Sequence, residues 1–402
     1  MELSDTEAGV AWIDNFLPDD RELAKRLLDA FVLDTWTSAR ASLLELVRTE
    51  IDSVRNAGPV WVLPAMDSGD IRRANGLGTT EPLTAFGNFE PGMNIPSMPG
   101  SEGLIGHLIR DVQQEGVLPP QTPVSALRDR RLRTIIVVSD TIETGGQITK
   151  YVKSLLRNTT MRSWRSFGWI RLIVLAYAVS SEGERLIATL PQVDSLRFVR
   201  HAPTISGLAW TKKDTNAALA LCVRYGNGKW RLGYGDHGGL FGFQDRLPNT
   251  VPRIFRQHGS DWVALFTGSG GRQVPSGMIR ELGGSSEVSV AHDEIVAAVR
   301  QERLSISIRK QQRASNRNVL AALALLRVSP ERFSVLGSAL DLTQAETTGL
   351  LGYMTAQGWI DGAFNVTASG VAELAASKRK PRRVAPKQVS ENVTPYYPKS
   401  LR

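Results

Sequence analysis

A polar segment that directly follows an apolar run offers the clearest chemistry in the sequence. The run Thr134–Val138 is uninterrupted and mostly β-branched, which predicts a strand buried on both faces. The next residues include Asp140 and end in the Thr-Gly-Gly of Thr144–Gly146, immediately before a helical pattern. Bare backbone N–H groups and the helix dipole would then face one point, which is the arrangement of a phosphate site.

Asp140 adds a second kind of contact to this site. A carboxylate repels phosphate unless a metal lies between them, so Asp140 is better suited to accept hydrogen bonds from sugar hydroxyls. Ligands of open parallel sheets bind at the carboxyl ends of the strands, where Asp140 is predicted to lie. The loop therefore predicts a ribose 5-phosphate site, and the alternative is a purely structural strand–turn–helix unit.

The segment Ile135–Gln147 resembles the signature of type I phosphoribosyltransferases, in which apolar residues, two acids and a Thr-Gly loop follow one another. In those enzymes the acids hold the ribose hydroxyls of phosphoribosyl pyrophosphate, and the loop holds its 5-phosphate. The resemblance assigns these contacts to Ser139, Asp140, Thr141, Thr144, Gly145, Gly146 and Gln147. Ser139 replaces the first acid and Gln147 the usual threonine, which weakens the expected ribose and metal contacts.

Glu143 corresponds, by the same resemblance, to an acid that acts as a base toward the purine ring in purine-type members. The resemblance therefore makes Asp140 and Glu143 the candidate catalytic residues. The alternative for Glu143 is a solvated loop carboxylate. If the site is catalytic, we expect Mg²⁺ to enter through the substrate phosphates, and we expect no metal site built from protein side chains.

A pyrophosphate loop follows the first core strand in these enzymes, and here that strand is predicted at Val60–Leu63. The candidates are Ser68 and Gly69, with Arg72 and Arg73 as cations. The alternative is an ordinary turn, because Gly-Ser loops near arginines are common.

A broader resemblance rests on Trp12–Phe16, Pro99–Gly103 and Arg246–Thr250, which surround the Thr-Gly-Gly loop in a fixed order. Together they are similar to segments of a divergent phosphoribosyltransferase-like family encoded in bacterial conflict and anti-phage systems. The resemblance implies an effector that acts on nucleotide or phosphoribosyl metabolites.

The elements around the loop predict an α/β fold with a parallel-sheet, phosphoribosyltransferase-like core, since strand, loop, helix and a further strand at Ile170–Ala178 form a βαβ unit. We expect N-terminal helices packed on the core over 1–57 and the core domain over 58–300. A basic linker over 301–317, a winged helix over 318–377 and a basic, disordered tail over 378–402 complete the expected domains.

Three helical patterns and a short hairpin predict that the C-terminal module is a small α+β winged helix-turn-helix domain. Its third helix starts with a capping box. Its candidate nucleic-acid contacts are Thr343, Gln344, Thr347 and Thr348. These side chains are uncharged, so contacts to nucleic-acid phosphates would come from the linker and the tail. The alternative is a module that docks on a protein.

The net charge of +8 is concentrated in the tail. Residues 378–402 contain eight basic residues and one acid, which gives +7 and leaves +1 for the preceding residues. A cationic arm of this kind suits nucleic acid or a nucleoprotein partner. Its candidate contacts are Lys378, Arg379, Lys380, Arg382 and Arg383. The alternative is a solubilising terminus.

Composition excludes several other classes of protein. Apolar residues make up 42% and charged residues 22%, which fits neither wholesale disorder nor a fibrous repeat. Cys222 is the only cysteine, which excludes an internal disulfide and a cysteine-based zinc cluster. The acidic start indicates no signal peptide, and the longest apolar stretch, Trp169–Val179, is too short to span a bilayer. We expect a cytoplasmic protein without a membrane partner.

Three function classes fit these features. The first is an enzyme-like effector that binds phosphoribosyl pyrophosphate or a nucleotide and is targeted by its winged helix to nucleic acid or a partner complex. The second is a metabolite-sensing transcription regulator with a non-catalytic phosphoribosyltransferase fold, and the third is an inactive scaffold. Glu143 favours the first class, whereas Ser139 favours the other two.

Overall fold

The computed structural model of the chain describes residues 2–75, 78, 101–113, 116–244, 246–259, 261–267, 274–282, 304, 314–340, 342 and 344–377. The strands are β1 (Val32–Asp34), β2 (Val60–Pro64), β3 (Val117–Leu118), β4 (Thr134–Ile142), β5 (Arg171–Val179), β6 (Ser195–His201) and β7 (Phe241–Phe243). The main sheet has five parallel strands in the order β3-β2-β4-β5-β6, and β1 pairs in parallel with β7. The predicted α/β class is confirmed, and β4 lies at the centre of the sheet.

Some helices of the core domain cover the two faces of this sheet, and others pack beside it. They are α1 (Glu7–Ile13), α2 (Pro18–Asp29), α3 (Trp36–Val54), α4 (Ser68–Asn75), α5 (Ser101–Asp111), α6 (Val124–Asp129), α7 (Gly146–Leu155), α8 (Thr159–Ser166), α9 (Ser181–Ala188), α10 (Lys212–Tyr225), α11 (Arg253–Arg256) and α12 (Ser276–Glu281). Alternate residues of β4 enter different apolar clusters: Ile135 and Val137 pack with α7, while Ile136 and Val138 pack with α3 and α5. Burial on both faces explains why the β4 sequence is apolar without alternation.

The N-terminal helices pack on a further apolar cluster beside the sheet. Trp12 stacks on Phe255 with ring centroids 5.0 Å apart, and Phe16 meets Trp12 edge to face. Residues from α1, α2 and α10 share this cluster with the segment that follows β7. Strand β1 also pairs with β7, so the first and the last strand of the core domain form one small sheet.

The C-terminal module is a winged helix. Its helices are α13 (Ala314–Val328), α14 (Leu336–Ala339), α15 (Gln344–Ala356) and α16 (Ala368–Ser377), with a 3-10 turn at Pro330–Val335. The wing is closed by an antiparallel bridge between Ile360 and Val366. The predicted architecture is confirmed, although α13 begins inside the segment expected to be linker. We call α15 the recognition helix, because it takes the third-helix position of a helix-turn-helix.

The recognition helix packs against the sheet edge formed by β6. Gln344 Oε1 accepts a hydrogen bond from the backbone N–H of Phe198, at 2.9 Å. The backbone of Gly337 lies so close to His201 that a Cβ there would be 2.1 Å from the ring. Thr347 is 8% exposed, so this face of the helix is covered by protein. The contact covers part of an edge that sheets otherwise leave unpaired.

One segment differs from the sequence-based expectation. Asp67 and the residues after it have a loop composition, yet Ser68–Asn75 is helical. Asp67 Oδ1 accepts a hydrogen bond from the N–H of Gly69 at 2.7 Å, and Ile71 is buried. Capping and one buried apolar contact therefore outweigh the glycine and the polar residues. No described helix combines the length and the hydropathy that crossing a membrane requires.

Candidate functional site

The Thr-Gly-Gly loop connects the end of β4 to the first turn of α7. Gly145 is the residue before the helix and has a left-handed backbone, with φ of +74°. No side chain caps this helix, whereas Ser180 and Thr211 cap α9 and α10. Because Gly145 has no side chain to cap the helix, the positive end of α7 faces the loop, which is the arrangement that binds an anion.

Helix α9 and its capping residue contact the backbone of the phosphate loop. Ser180 Oγ donates a hydrogen bond to the carbonyl of Glu143 at 2.6 Å. A Cβ at Gly183 would lie 2.5 Å from the same carbonyl oxygen, so only glycine permits this approach. The loop backbone is therefore fixed by direct contact with a second helix.

Asp140 lies near the carboxyl end of β4 and is nearly buried. Its Oδ1 accepts a hydrogen bond from the N–H of Thr141 at 2.7 Å, and its Oδ2 lies 3.5 Å from Nη2 of Arg246. The Arg246 guanidinium stacks over Trp36 at 4.6 Å and over Phe243 at 4.9 Å. The two aromatic rings thus position a cation beside the carboxylate that is expected to hold ribose.

The other predicted loop residues divide into two groups. Thr141, Thr144, Gly145, Gly146 and Gln147 line a common cavity with Asp140. Ser139 does not line it: its side chain is buried, and its hydroxyl donates to the carbonyl of Thr141 at 3.0 Å. The position that the first acid of the signature would occupy is therefore directed away from the cavity.

The cavity at the loop has a volume of about 690 Å³. Its floor is the Asp140–Gln147 loop, and its other wall is the segment from Arg246 to Thr250 with Tyr234. The lining is completed by Asp67, Ile148, Lys150 and Phe243. A cavity of this size accommodates a sugar phosphate with further groups attached.

Glu143 lines the cavity, but its carboxylate is held by a histidine from the glycine-rich loop between α10 and β7. His237 Nε2 lies 2.8 Å from Glu143 Oε2, and His237 Nδ1 lies 2.8 Å from Glu182 Oε2. The Nε2 contact is within ion-pair distance and is ionic when the ring is protonated. Burial alone would lower the pKa of His237, but the contacts with both carboxylates outweigh burial and raise it.

The pyrophosphate candidates lie on and around α4. Ser68 and Gly69 form the first turn of that helix, and neither lines the cavity, although the adjacent Asp67 does. The guanidinium of Arg72 donates to the carbonyl of Gly78. The side chain of Arg73 lies outside the described residues. The expected pair of cations is therefore not placed in the cavity by the described contacts.

The nucleic-acid candidates have different surroundings. Gln344 and Thr347 are engaged at the β6 edge, whereas Thr348 is exposed and its hydroxyl donates to the carbonyl of Gln344. In this arrangement Gln344 and Thr347 cannot reach base edges. Thr343, Lys378, Arg379, Lys380, Arg382 and Arg383 lie outside the described residues.

Three residues of the site were not found from the sequence as members of it. His237 and Glu182 are 55 positions apart and share no spacing pattern, so only the fold brings them to Glu143. Arg246 was noted only within a family-like segment. The signal that could have indicated it is the Phe-Gly-Phe just before it, which supplies one of its stacking partners.

Within the described ranges, no group of three His, Cys, Asp or Glu side chains could hold a metal ion. The carboxylates at the cavity are those of Asp140, Glu143 and Asp67, and Arg246 and His237 lie beside two of them. Such a donor set suits Mg²⁺ only when substrate phosphates supply further oxygens.

Comparison with protein families gives two matches on this chain. The family model described as PRTase-CE matches residues 10–267, and the model described as wHTH-PRTase associated matches residues 320–402. The searches of curated proteins and of solved structures found no match. The first match covers more than half of the chain and includes the loop, the cavity and the Arg246 segment. The chain therefore belongs to the PRTase-CE family and carries its associated winged helix at the C-terminal end.

Proposed function

We propose that the cavity binds phosphoribosyl pyrophosphate or a nucleotide, with the 5-phosphate on the Thr144–Gly146 backbone and the ribose hydroxyls on Asp140. The observation that carries this proposal is the uncapped start of α7 beside a strand-end carboxylate. The left-handed Gly145 turns the chain so that successive N–H groups line one end of the cavity. Arg246 and Lys150 supply positive charge for the remaining phosphate groups.

We further propose an effector of bacterial anti-phage defence that uses this ligand, as the resemblance of the sequence segments implies. Glu143 would act as the base toward the acceptor, since its carboxylate is on the cavity wall. Mg²⁺ would be held mainly by the substrate phosphates and by Asp140, and would offset the charge of the leaving pyrophosphate. Because Ser139 replaces the first acid, we propose ligand binding as the main function of the site and turnover as a secondary one.

The test measures binding and consumption separately. Radiolabelled phosphoribosyl pyrophosphate is incubated with the full chain, bound label is counted by equilibrium dialysis, and released pyrophosphate is assayed with and without Mg²⁺. An effector enzyme consumes the label, and Glu143→Gln abolishes consumption while it keeps binding. Absence of binding at millimolar ligand would overturn the proposal.

The C-terminal third would bring this activity to nucleic acid or to a nucleoprotein partner. Because two of the recognition-helix candidates face β6, we assign phosphate contacts to the linker and the tail rather than base reading to α15. Each phosphate neutralised on duplex DNA contributes about −0.9 to the slope of log K against log salt. Deletion of 378–402 should therefore flatten that slope and weaken binding to all sequences alike. An unchanged slope would return the tail to the role of a solubilising terminus.

A metabolite-sensing regulator is the second candidate, and one observation favours it. Gly183 of α9 touches the phosphate loop, while Arg185 and Ala188 of the same helix line the groove of about 800 Å³ against α15. One short helix thus contacts the ligand loop and lines a groove that it shares with the winged helix. If phosphoribosyl pyrophosphate changes the affinity for DNA without being consumed, this second function is correct.

A further inference from the structure

Glu143 presents a physical problem for the function proposed above. It lies inside the loop that is proposed to hold a 5-phosphate, and both of its carboxylate oxygens are buried. A buried negative charge repels a phosphate dianion far more strongly than an exposed one, because water does not screen it. The loop therefore needs a compensating positive charge near Glu143 before it can bind phosphate well.

His237 is placed to supply that charge. Its side chain is 0% exposed, and its two ring nitrogens each lie 2.8 Å from a carboxylate oxygen, one of Glu143 and one of Glu182. Ionised carboxylates only accept protons in hydrogen bonds and attract positive charge, so the ring is matched to both of them only when each nitrogen carries a proton. The surroundings of this ring therefore select the imidazolium form.

The other groups around the ring do not supply a competing charge. Thr250 and Gly239 pack against Glu143 and His237 and carry none. Asp236, the neighbour of His237 on its own loop, is exposed, and Arg246 is directed to Asp140. Glu182 on α9 is 51% exposed, so water screens much of its charge.

We propose that His237 is the counter-charge of Glu143, so that the loop binds a phosphate ester tightly only while His237 is protonated. The inference rests on the function proposed above and assigns a role to a residue that the phosphoribosyltransferase signature does not contain. His237 acts through Glu143 and is a positioning residue. Loss of its proton leaves the buried carboxylate uncompensated beneath the phosphate.

The direction of the pH dependence follows from the raised pKa of His237. Affinity is highest below that pKa and falls as the pH rises through it. A phosphate monoester has its second pKa near 6 and is fully ionised above about pH 7, so the ligand itself contributes no further change there. A decline in affinity as the pH rises above about 7 therefore reports on the protein.

The experiment measures ribose 5-phosphate and phosphoribosyl pyrophosphate binding to the full chain by calorimetry across that range. We expect wild-type affinity to fall about 10-fold, and His237→Gln to be about 10-fold weaker at pH 7 with little further pH dependence. The double variant Glu143→Gln/His237→Gln should recover affinity to within about 3-fold of wild type, because the uncompensated charge is gone. Asp236→Asn, which removes an exposed charge beside His237 on the same loop, is the matched control and should change affinity by about 2-fold or less.

Two outcomes overturn the inference. If the double variant binds as weakly as His237→Gln although both remain folded by circular dichroism, His237 is only structural. If the ring ¹⁵N shifts of ligand-free wild type show neutral His237 at pH 7, the counter-charge does not exist, whatever the chain binds. If neither probe binds while the ring is charged in wild type and neutral in Glu143→Gln, the charge pair is correct and the phosphate function proposed for the loop is wrong.

Discussion

Two buried histidines mark two regions of the molecule, and their surroundings are opposite. His237 at the phosphate loop lies 2.8 Å from each of two carboxylates, which raise its pKa against the effect of burial. His201 at the winged-helix contact has a carboxylate only at 3.9 Å, and burial lowers its pKa to about 4. The first region is built to hold charge and the second to exclude it.

The difference shows which region is prepared for an ionic ligand. The phosphate loop places the start of α7, without a side-chain cap from Gly145, beside a cavity, and each of its buried acids lies next to a basic side chain. The recognition helix instead uses its polar residues for protein contacts, with Gln344 on the N–H of Phe198 and Thr347 buried. A polar side chain at a helix start is therefore a ligand contact only where the fold leaves room beside it.

Breaking the winged-helix contact should have the largest effect. Thr347→Arg places a cation where the side chain is nearly buried against β6, and we expect it to cost about 3 kcal/mol. The Phe198 amide donates to Gln344 only while the helix is docked, so its hydrogen exchange should become about 100-fold faster. Thr348→Arg, at the exposed neighbouring position, is the control and should leave that amide protected. Equal protection in both variants would contradict the docked arrangement.

The second effect in size should be a loss of folding stability in acid, caused by His201 in the same region. Between about pH 6.5 and 4 the unfolded chain binds a proton at His201 that the folded chain does not, so stability falls as the pH falls. The shift corresponds to a loss of about 3 kcal/mol once the pH is below 4. Urea unfolding across this range should show a flatter profile in His201→Gln, whereas His258→Gln, at an exposed position, should follow wild type. An identical profile in His201→Gln would assign the acid sensitivity to other groups.

Local sequence was sufficient for the central part of the site. The β-branched run of β4, the glycines after it and the apolar spacing of α7 all depend on neighbours within about fifteen positions, and each element was predicted. The winged helix was predicted for the same reason, since its capping box and wing turn are local signals. The placement of Asp140 near the end of a buried strand follows from this pattern alone.

Contacts between distant segments could not be predicted in this way. His237 meets Glu143 and Glu182 although all three lie in different segments of the chain, and Gln344 of α15 bonds Phe198 of β6 across more than a hundred positions. The capping of α4 by Asp67 was missed because a single buried residue, Ile71, secures a helix whose composition is that of a loop. In each case the sequence does not indicate which residue is the contact partner.

The third effect in size should come from a change to the loop backbone, and it is an effect on ligand binding. Gly145→Val puts a branched side chain at φ of +74° and close to Leu186, and we expect about 100-fold weaker binding of phosphoribosyl pyrophosphate. Gly168→Val is the control, because φ there is +66° with open space around it and no ligand nearby. Both variants carry similar backbone strain, so melting temperatures should fall alike while only Gly145→Val loses the ligand. Loss of binding in both would mean that strain, not access to the loop, is responsible.

The smallest effect expected is that of removing one charge at the ribose position. Asp140→Asn keeps the shape of the side chain but replaces a carboxylate acceptor by an amide, and hydrogen bonds to charged groups are the stronger ones. We expect about 10-fold weaker binding of phosphoribosyl pyrophosphate by calorimetry, or about 1.4 kcal/mol. Ser139→Ala is the matched control, because that hydroxyl bonds the carbonyl of Thr141 and does not line the cavity. If Ser139→Ala weakened binding as much as Asp140→Asn, the side chain at the first-acid position would reach the ligand, and the division of the loop into one ribose-binding and one structural residue would be wrong.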